Sequence, residues 1–110
     1  MPKQRKINWI RDRRLARRVM REVCGEFKVS PQVLFQDGQG KENLLYLMAF
    51  FLAREIGRLS WQSLAVIFME KSADDAKRSY SRFKKYLKYI PGLPEKCDEL
   101  TKKICHSRNF

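Results

Sequence analysis

Between residues 10 and 24 the apolar side chains Ile10, Leu15, Ala16, Val19, Met20 and Val23 recur at helical spacing, with arginines filling the other positions. The pattern predicts a basic amphipathic helix that Gly25 stops. Phe27 and Val29 lead into Ser30-Pro31, a capping serine before a proline at a first helical position, so a short helical turn carrying Val33, Leu34 and Phe35 is expected. The stretch Gln36-Asp37-Gly38-Gln39-Gly40 has two glycines and nothing apolar to bury, and reads as a loop. Residues 41–56 are the most apolar of the chain: Leu44, Leu45, Leu47, Met48, Phe50, Phe51, Leu52 and Ile56 cover most of a helix circumference. Such a helix is central and buried, and Gly57 supplies its stop. Ser60 then caps a short helix holding Trp61, Leu64, Ala65, Ile67 and Phe68. Ser72, with Asp75 three positions on, approximates a capping box and opens a helix over 73–88 that gathers Ala76, Tyr80, Phe83 and Leu87 on one face. Pro91-Gly92-Leu93-Pro94 is expected to break the chain before a last amphipathic helix carrying Leu93, Cys97, Leu100 and Ile104.

No strand alternation or internal repeat interrupts this series. The expected fold is all-α, a small bundle of about five to six helices in one domain over residues 1–110. Residues 1–9 would form a basic N-terminal arm and 91–110 a C-terminal accessory helix. A chain of 110 residues with 44% apolar side chains can bury one modest core. No apolar run approaches the ~18 residues a membrane helix needs, and no signal-peptide core follows the basic N-terminus. A cytoplasmic, nucleoid-associated protein without a membrane partner is expected. Cys24, Cys97 and Cys105 are odd in number and lack paired spacing, and His106 is the lone histidine. Neither a disulfide framework nor a zinc site is expected, since a structural zinc takes four ligands.

Charge sharpens the picture. The chain carries +12, and its distribution is uneven. Residues 1–21 hold nine lysines and arginines against Asp12 alone, and residues 77–90 hold Lys77, Arg78, Arg82, Lys84, Lys85 and Lys88 with no acid. Unmixed cations repel one another, whereas a polyanion offsets the repulsion and releases counterions on binding. Two basic segments around a near-neutral middle therefore point to nucleic acid.

The helix from Ser60 to Phe68 and the one opening at Ser72 have the proportions of a helix-turn-helix, in which the second helix enters the major groove. The run Leu52-Ala53-Arg54-Glu55-Ile56-Gly57-Arg58-Leu59-Ser60-Trp61-Gln62-Ser63-Leu64-Ala65-Val66-Ile67-Phe68 resembles the C-terminal DNA-binding domain of the bacterial replication initiator DnaA. Ser79-Tyr80-Ser81-Arg82-Phe83 resembles the related C-terminal domain of transposases for repetitive extragenic elements. The resemblance covers about residues 15–87 and implies a helix-turn-helix that binds double-stranded DNA. Its departures lie where contacts are made. The family's recognition helix opens Arg-Asp-His-Thr-Thr, and here Lys71-Ser72-Ala73-Asp74-Asp75 stands instead. Asp74 and Asp75 can accept from cytosine but repel phosphate, and as helix openers they serve the cap and the dipole. The family's arginine-rich loop is also absent from residues 36–40. The initiator's usual DNA box is therefore not the expected target.

The expected DNA contacts form a different set. Lys71, Ser72, Lys77, Arg78, Arg82 and Lys85 lie along or just before the second helix, with Lys77 and Arg78 assigned to base edges. Gln62 would reach a phosphate. Arg13, Arg14, Arg17 and Arg18 would supply backbone contacts or a minor-groove arm. Trp9, Tyr46, Trp61 and Tyr86 read as core or interface in preference to base-stacking platforms. No phosphate loop, nucleophile elbow or paired-carboxylate arrangement is present, so the chain is expected to be neither an enzyme nor a cofactor binder. Two rivals stand beside duplex DNA. One is a protein-interaction module, with a protein partner or a second copy docking on Tyr46, Phe50, Phe51 and Trp61. The other is RNA binding, which a basic helix does not distinguish from DNA.

Overall fold

A computed structural model of the protein describes residues 8–35 and 43–107. Of the expected arm over 1–9, residues 1–7 lie outside them, as does the expected loop over 36–40, while Asn8 caps and Trp9 begins the first helix instead of belonging to an arm. Five α-helices and one 3-10 turn form an all-helical bundle: α1 (Trp9–Glu26), the 3-10 turn (Pro31–Phe35), α2 (Leu44–Gly57), α3 (Trp61–Ile67), α4 (Ala73–Tyr89) and α5 (Leu93–Ser107). Four of the helices open on a side chain that accepts a backbone N–H. Asn8, Asn43, Ser60 and Ser72 receive the N–H groups of Arg11, Tyr46, Ser63 and Asp75. Each such cap contributes about 1 kcal/mol. Asn43 also donates to the Val33 and Leu34 carbonyls, which fastens the 3-10 turn to the start of α2.

Helix α2 packs against every other helix. Its apolar circumference matches that position: Leu47, Met48, Ala49, Phe50, Leu52 and Ala53 are all buried. Leu15, Val19 and Val23 meet it from α1, Leu64 and Phe68 belong to the same core from α3 and its end, and Ala76 and Phe83 from α4. Burying a leucine or phenylalanine side chain is worth about 1.5–3 kcal/mol, so this one layer accounts for most of the driving force.

Three punctuation marks differ from expectation. Helix α1 continues through Gly25 to Glu26, and the chain reverses at Lys28, whose φ is 56°. The Val29 N–H then bonds the Cys24 carbonyl at 3.0 Å, closing a Schellman turn. Gly57 is the last residue of α2 and not its left-handed stop, a role taken by Arg58 at φ 51°. What requires glycine at 57 is space, because a Cβ there would lie 1.9 Å from Leu15 Cδ2 on α1. Pro94, expected to break the chain, sits in the first turn of α5, where a missing N–H leaves no helical bond unmade. Gly92, at φ 82°, makes the turn.

Helix α5 buries Leu93, Cys97, Leu100 and Ile104 against α1, α2 and α4. Glu26 at the end of α1 receives Lys96 at 2.7 Å and Lys103 at 3.0 Å, and these two ammonium groups hold its carboxyl down at about 2. All three cysteines are free; burial pushes the Cys97 thiol up to about 11 and raises Cys24 as well, while Cys105 is exposed. Among the described residues no helix is long and apolar enough to cross a membrane.

Candidate nucleic-acid interface

A short helix, a tight turn and a long helix bring the second basic segment to the surface. Ser60 starts α3, and its hydroxyl donates to Ser63 Oγ at 3.1 Å while accepting the Ser63 N–H. After Phe68 the chain enters the left-handed region at Met69, φ 62°, where the Glu70 N–H bonds the Ala65 carbonyl and the Met69 N–H bonds that of Val66. This is a second Schellman turn, with methionine where glycine would be less strained. The turn is latched from two sides. The Tyr46 hydroxyl of α2 donates to the Phe68 carbonyl at 2.9 Å and also contacts Glu70 Oε2, and Ser79 of α4 donates to the same Oε2 at 3.2 Å. Burial and the adjacent carboxylate raise the Tyr46 phenol, so the hydroxyl keeps its proton and remains a donor.

Ser72 then caps α4, whose buried face is Ala76, Ser79 and Phe83. Tyr80 packs beside them, stacked on Phe51 and edge-on to Trp61, with its hydroxyl on Glu55 at 2.5 Å. Burial first, and then Glu55, push that phenol up to about 12. With one side of α4 fixed in this way, Lys77, Arg78, Ser81, Arg82 and Lys85 fall on the other and line one shallow groove of about 300 Å³. The positions follow the i, i+4, i+8 spacing of a helix face, and Lys88 extends the line.

Several expected contact residues take other duties. Ser72 is exposed, yet its hydroxyl accepts the Asp75 N–H at 3.2 Å and so is committed to capping. Asp75 pairs with Arg78 at 3.4 Å, an exposed contact worth little and readily exchanged for a phosphate. Lys71 and Gln62 are exposed at the two ends of the α3–turn unit. On α1, Arg13, Arg14 and Arg17 are exposed, and Arg21 continues their stripe. Arg18 departs from the expectation: it is half-buried, with its Nε 3.4 Å from Glu22. The structure also separates the two basic segments. Helices α1 and α4 each pack on α2 and make no backbone contact with one another.

The aromatic side chains sort differently from the expected docking patch. Phe50 is fully buried and cannot contact a partner. Tyr46, Phe51 and Trp61 are half-buried, Tyr46 in ring contact with Phe50 and Phe68, and Phe51 and Trp61 both in ring contact with Tyr80. Tyr86 is likewise half-buried. Among the described residues the exposed aromatics are Trp9, Phe27, Phe35 and Tyr89; Trp9, read as core or interface, is thus not part of the core.

Sequence reasoning also passed over Asp12, buried in the first turn of α1, and Arg54, whose guanidinium lies 4.0 Å over the Trp61 ring and donates to the Leu59 carbonyl. Arg54 stood inside a motif read for its apolar residues, and only the fold discloses its partners. Among the described residues no group of histidine, cysteine or carboxylate side chains is placed to hold a metal ion. No protein-family model, curated protein or solved structure matches the chain.

Proposed function

We propose that this chain is a non-enzymatic DNA-binding module that lays α4 in the major groove of a duplex, with α3 and the turn acting as a helix-turn-helix. The observation that carries the reading is the outward face of α4, where Lys77, Arg78, Arg82 and Lys85 flank Ser81 along one groove. A helix that is basic along one side and anchored by aromatic packing on the other suits the width of the major groove, which admits one helix. Lys77 and Arg78, nearest the N-terminal end, reach base edges, and Arg82 and Lys85 meet phosphates. Asp74 and Asp75 at the helix start repel the phosphates that the initiator's residues would approach, which supports a target other than its usual box. Because α1 makes no backbone contact with α4, Arg13, Arg14 and Arg17 are assigned to flanking or second-duplex phosphates instead of the same groove.

A protein-docking reading rests on the half-exposed Val66 and largely exposed Met69 beside the turn. Charge reversal separates the two. Arg78→Glu is expected to lower both affinity and the preference for a selected over a random duplex, by about 1–3 kcal/mol of discrimination. Arg14→Glu with Arg17→Glu is expected to weaken both duplexes alike. If Arg78→Glu is neutral on every duplex while the α1 pair removes all binding, the assignment of α4 fails.

A further inference from the structure

A second cleft, apart from the α4 groove, lies at the junction of α1, α2 and α3. It has a volume of about 410 Å³ and is lined by Asn8, Arg11, Arg54, Arg58, Ser60 and Trp61, with Asp12 and Ser63 at its inner wall. That volume falls in the usual range of small-ligand sites, roughly 300–1,000 Å³. Three guanidinium groups therefore meet one carboxylate. The carboxylate is already engaged: Asp12 is buried and accepts the Ser63 hydroxyl at 3.0 Å, with Arg11 approaching only to 3.9 Å. Arg54 is held rigidly by the Trp61 ring and the Leu59 carbonyl, which uses one of its five donors and leaves the others. Arg58 has no ion pair among the described residues, and its left-handed backbone fixes where the side chain leaves the chain.

From this surplus of cationic donors, one of them fixed, in a concave site we infer that the cleft binds a phosphoryl group. Guanidinium forks match the tetrahedral oxyanion through paired, charge-assisted hydrogen bonds, and the Asn8 amide supplies a neutral donor at the rim. The group has two sources with the same chemistry, a free phosphoanion or a backbone phosphate of a nucleic acid. The site does not depend on the reading of α4, because none of its lining residues lies on that helix.

Trp61 lines the cleft and reports on it. In a Trp9→Phe background it is the only tryptophan, and pyrophosphate titrated into the protein alone should change its emission saturably, with half-saturation at about 1 mM or below. Arg58→Gln, at an exposed position, should raise the half-saturation about tenfold, the loss of one charge-assisted bond. Sodium chloride at matched ionic strength should give no saturable change. The full chain is then titrated with duplex DNA in the presence of pyrophosphate: competition together with weaker duplex binding by Arg58→Gln assigns the cleft to a backbone phosphate, and independence assigns it to a free phosphoanion. No saturable response to pyrophosphate, or an equal response in Arg58→Gln, overturns the inference whatever the DNA result. Circular dichroism of both variants establishes that they are folded.

Discussion

The buried carboxylate of Asp12 on α1 accepts the hydroxyl proton of Ser63 on α3 at 3.0 Å, and Ser60 donates to Ser63 in turn. This chain of three polar side chains locks the first helix to the start of the short one and fixes the angle at which α3 presents the turn. Asp12→Ala leaves the Ser63 hydroxyl without its acceptor, in a place where water is excluded. The expected loss is about 1–3 kcal/mol of stability, and Asp12→Asn, which keeps an acceptor oxygen, should lose less. Urea unfolding of the two variants measures the difference, and equal stabilities would show that the bond contributes nothing.

The contact between Gly57 and Leu15 sets the distance between α1 and α2. In a helix alanine is worth about 1 kcal/mol over glycine, yet here a Cβ would lie 1.9 Å from a buried methyl group. Overpacking costs about 1–3 kcal/mol, so Gly57→Ala should be destabilising despite its better propensity. In a Leu15→Ala background the clash is gone and the same substitution should become neutral or stabilising. Thermal unfolding of the four proteins in this cycle checks the sign change.

These two cases separate what the sequence carries from what it does not. Ser60 and Ser72 announce helix starts because capping is a local event, decided by residues three positions apart. The order of the helices and the central place of α2 are legible for the same reason: periodicity and an apolar circumference are properties of one segment. Gly57 looks like a stop signal, and its real constraint comes from Leu15, far away in the chain. Asp12 reads as a lone acid among arginines until Ser63 is placed above it, and Glu26 gives no hint of Lys96 or Lys103. On the candidate interface, the spacing from Lys77 to Lys85 predicts a common helix face. It does not predict that α4 and the arginine-bearing α1 pack on α2 without backbone contact between them, which only the packing decides.

The end of α1 titrates. Glu26 has a carboxyl held at about 2 by Lys96 and Lys103, well below the ordinary value of about 4.3. A depressed carboxyl contributes stability that is fully present above its unfolded value and is lost as pH falls through the folded one. Stability should therefore decline between about pH 5 and 2 as Glu26 protonates and releases α5. Glu26→Gln should be less stable than the parent at pH 7 and should show a flatter acid limb. Chemical unfolding at several pH values tests both, and parallel acid limbs would remove Glu26 from the account.

The central claim is that the outward face of α4 meets DNA phosphates, and the salt dependence of duplex binding tests it most directly. Each neutralised phosphate contributes a slope of about −0.9 to the logarithm of affinity against the logarithm of salt concentration. With Arg82 and Lys85 on phosphates, fluorescence anisotropy should give a slope of about −2 or steeper. Arg82→Gln combined with Lys85→Gln should make it shallower by about 2 without changing the helical content. Absence of binding at micromolar protein in low salt, or an unchanged slope in the double variant, would contradict the account.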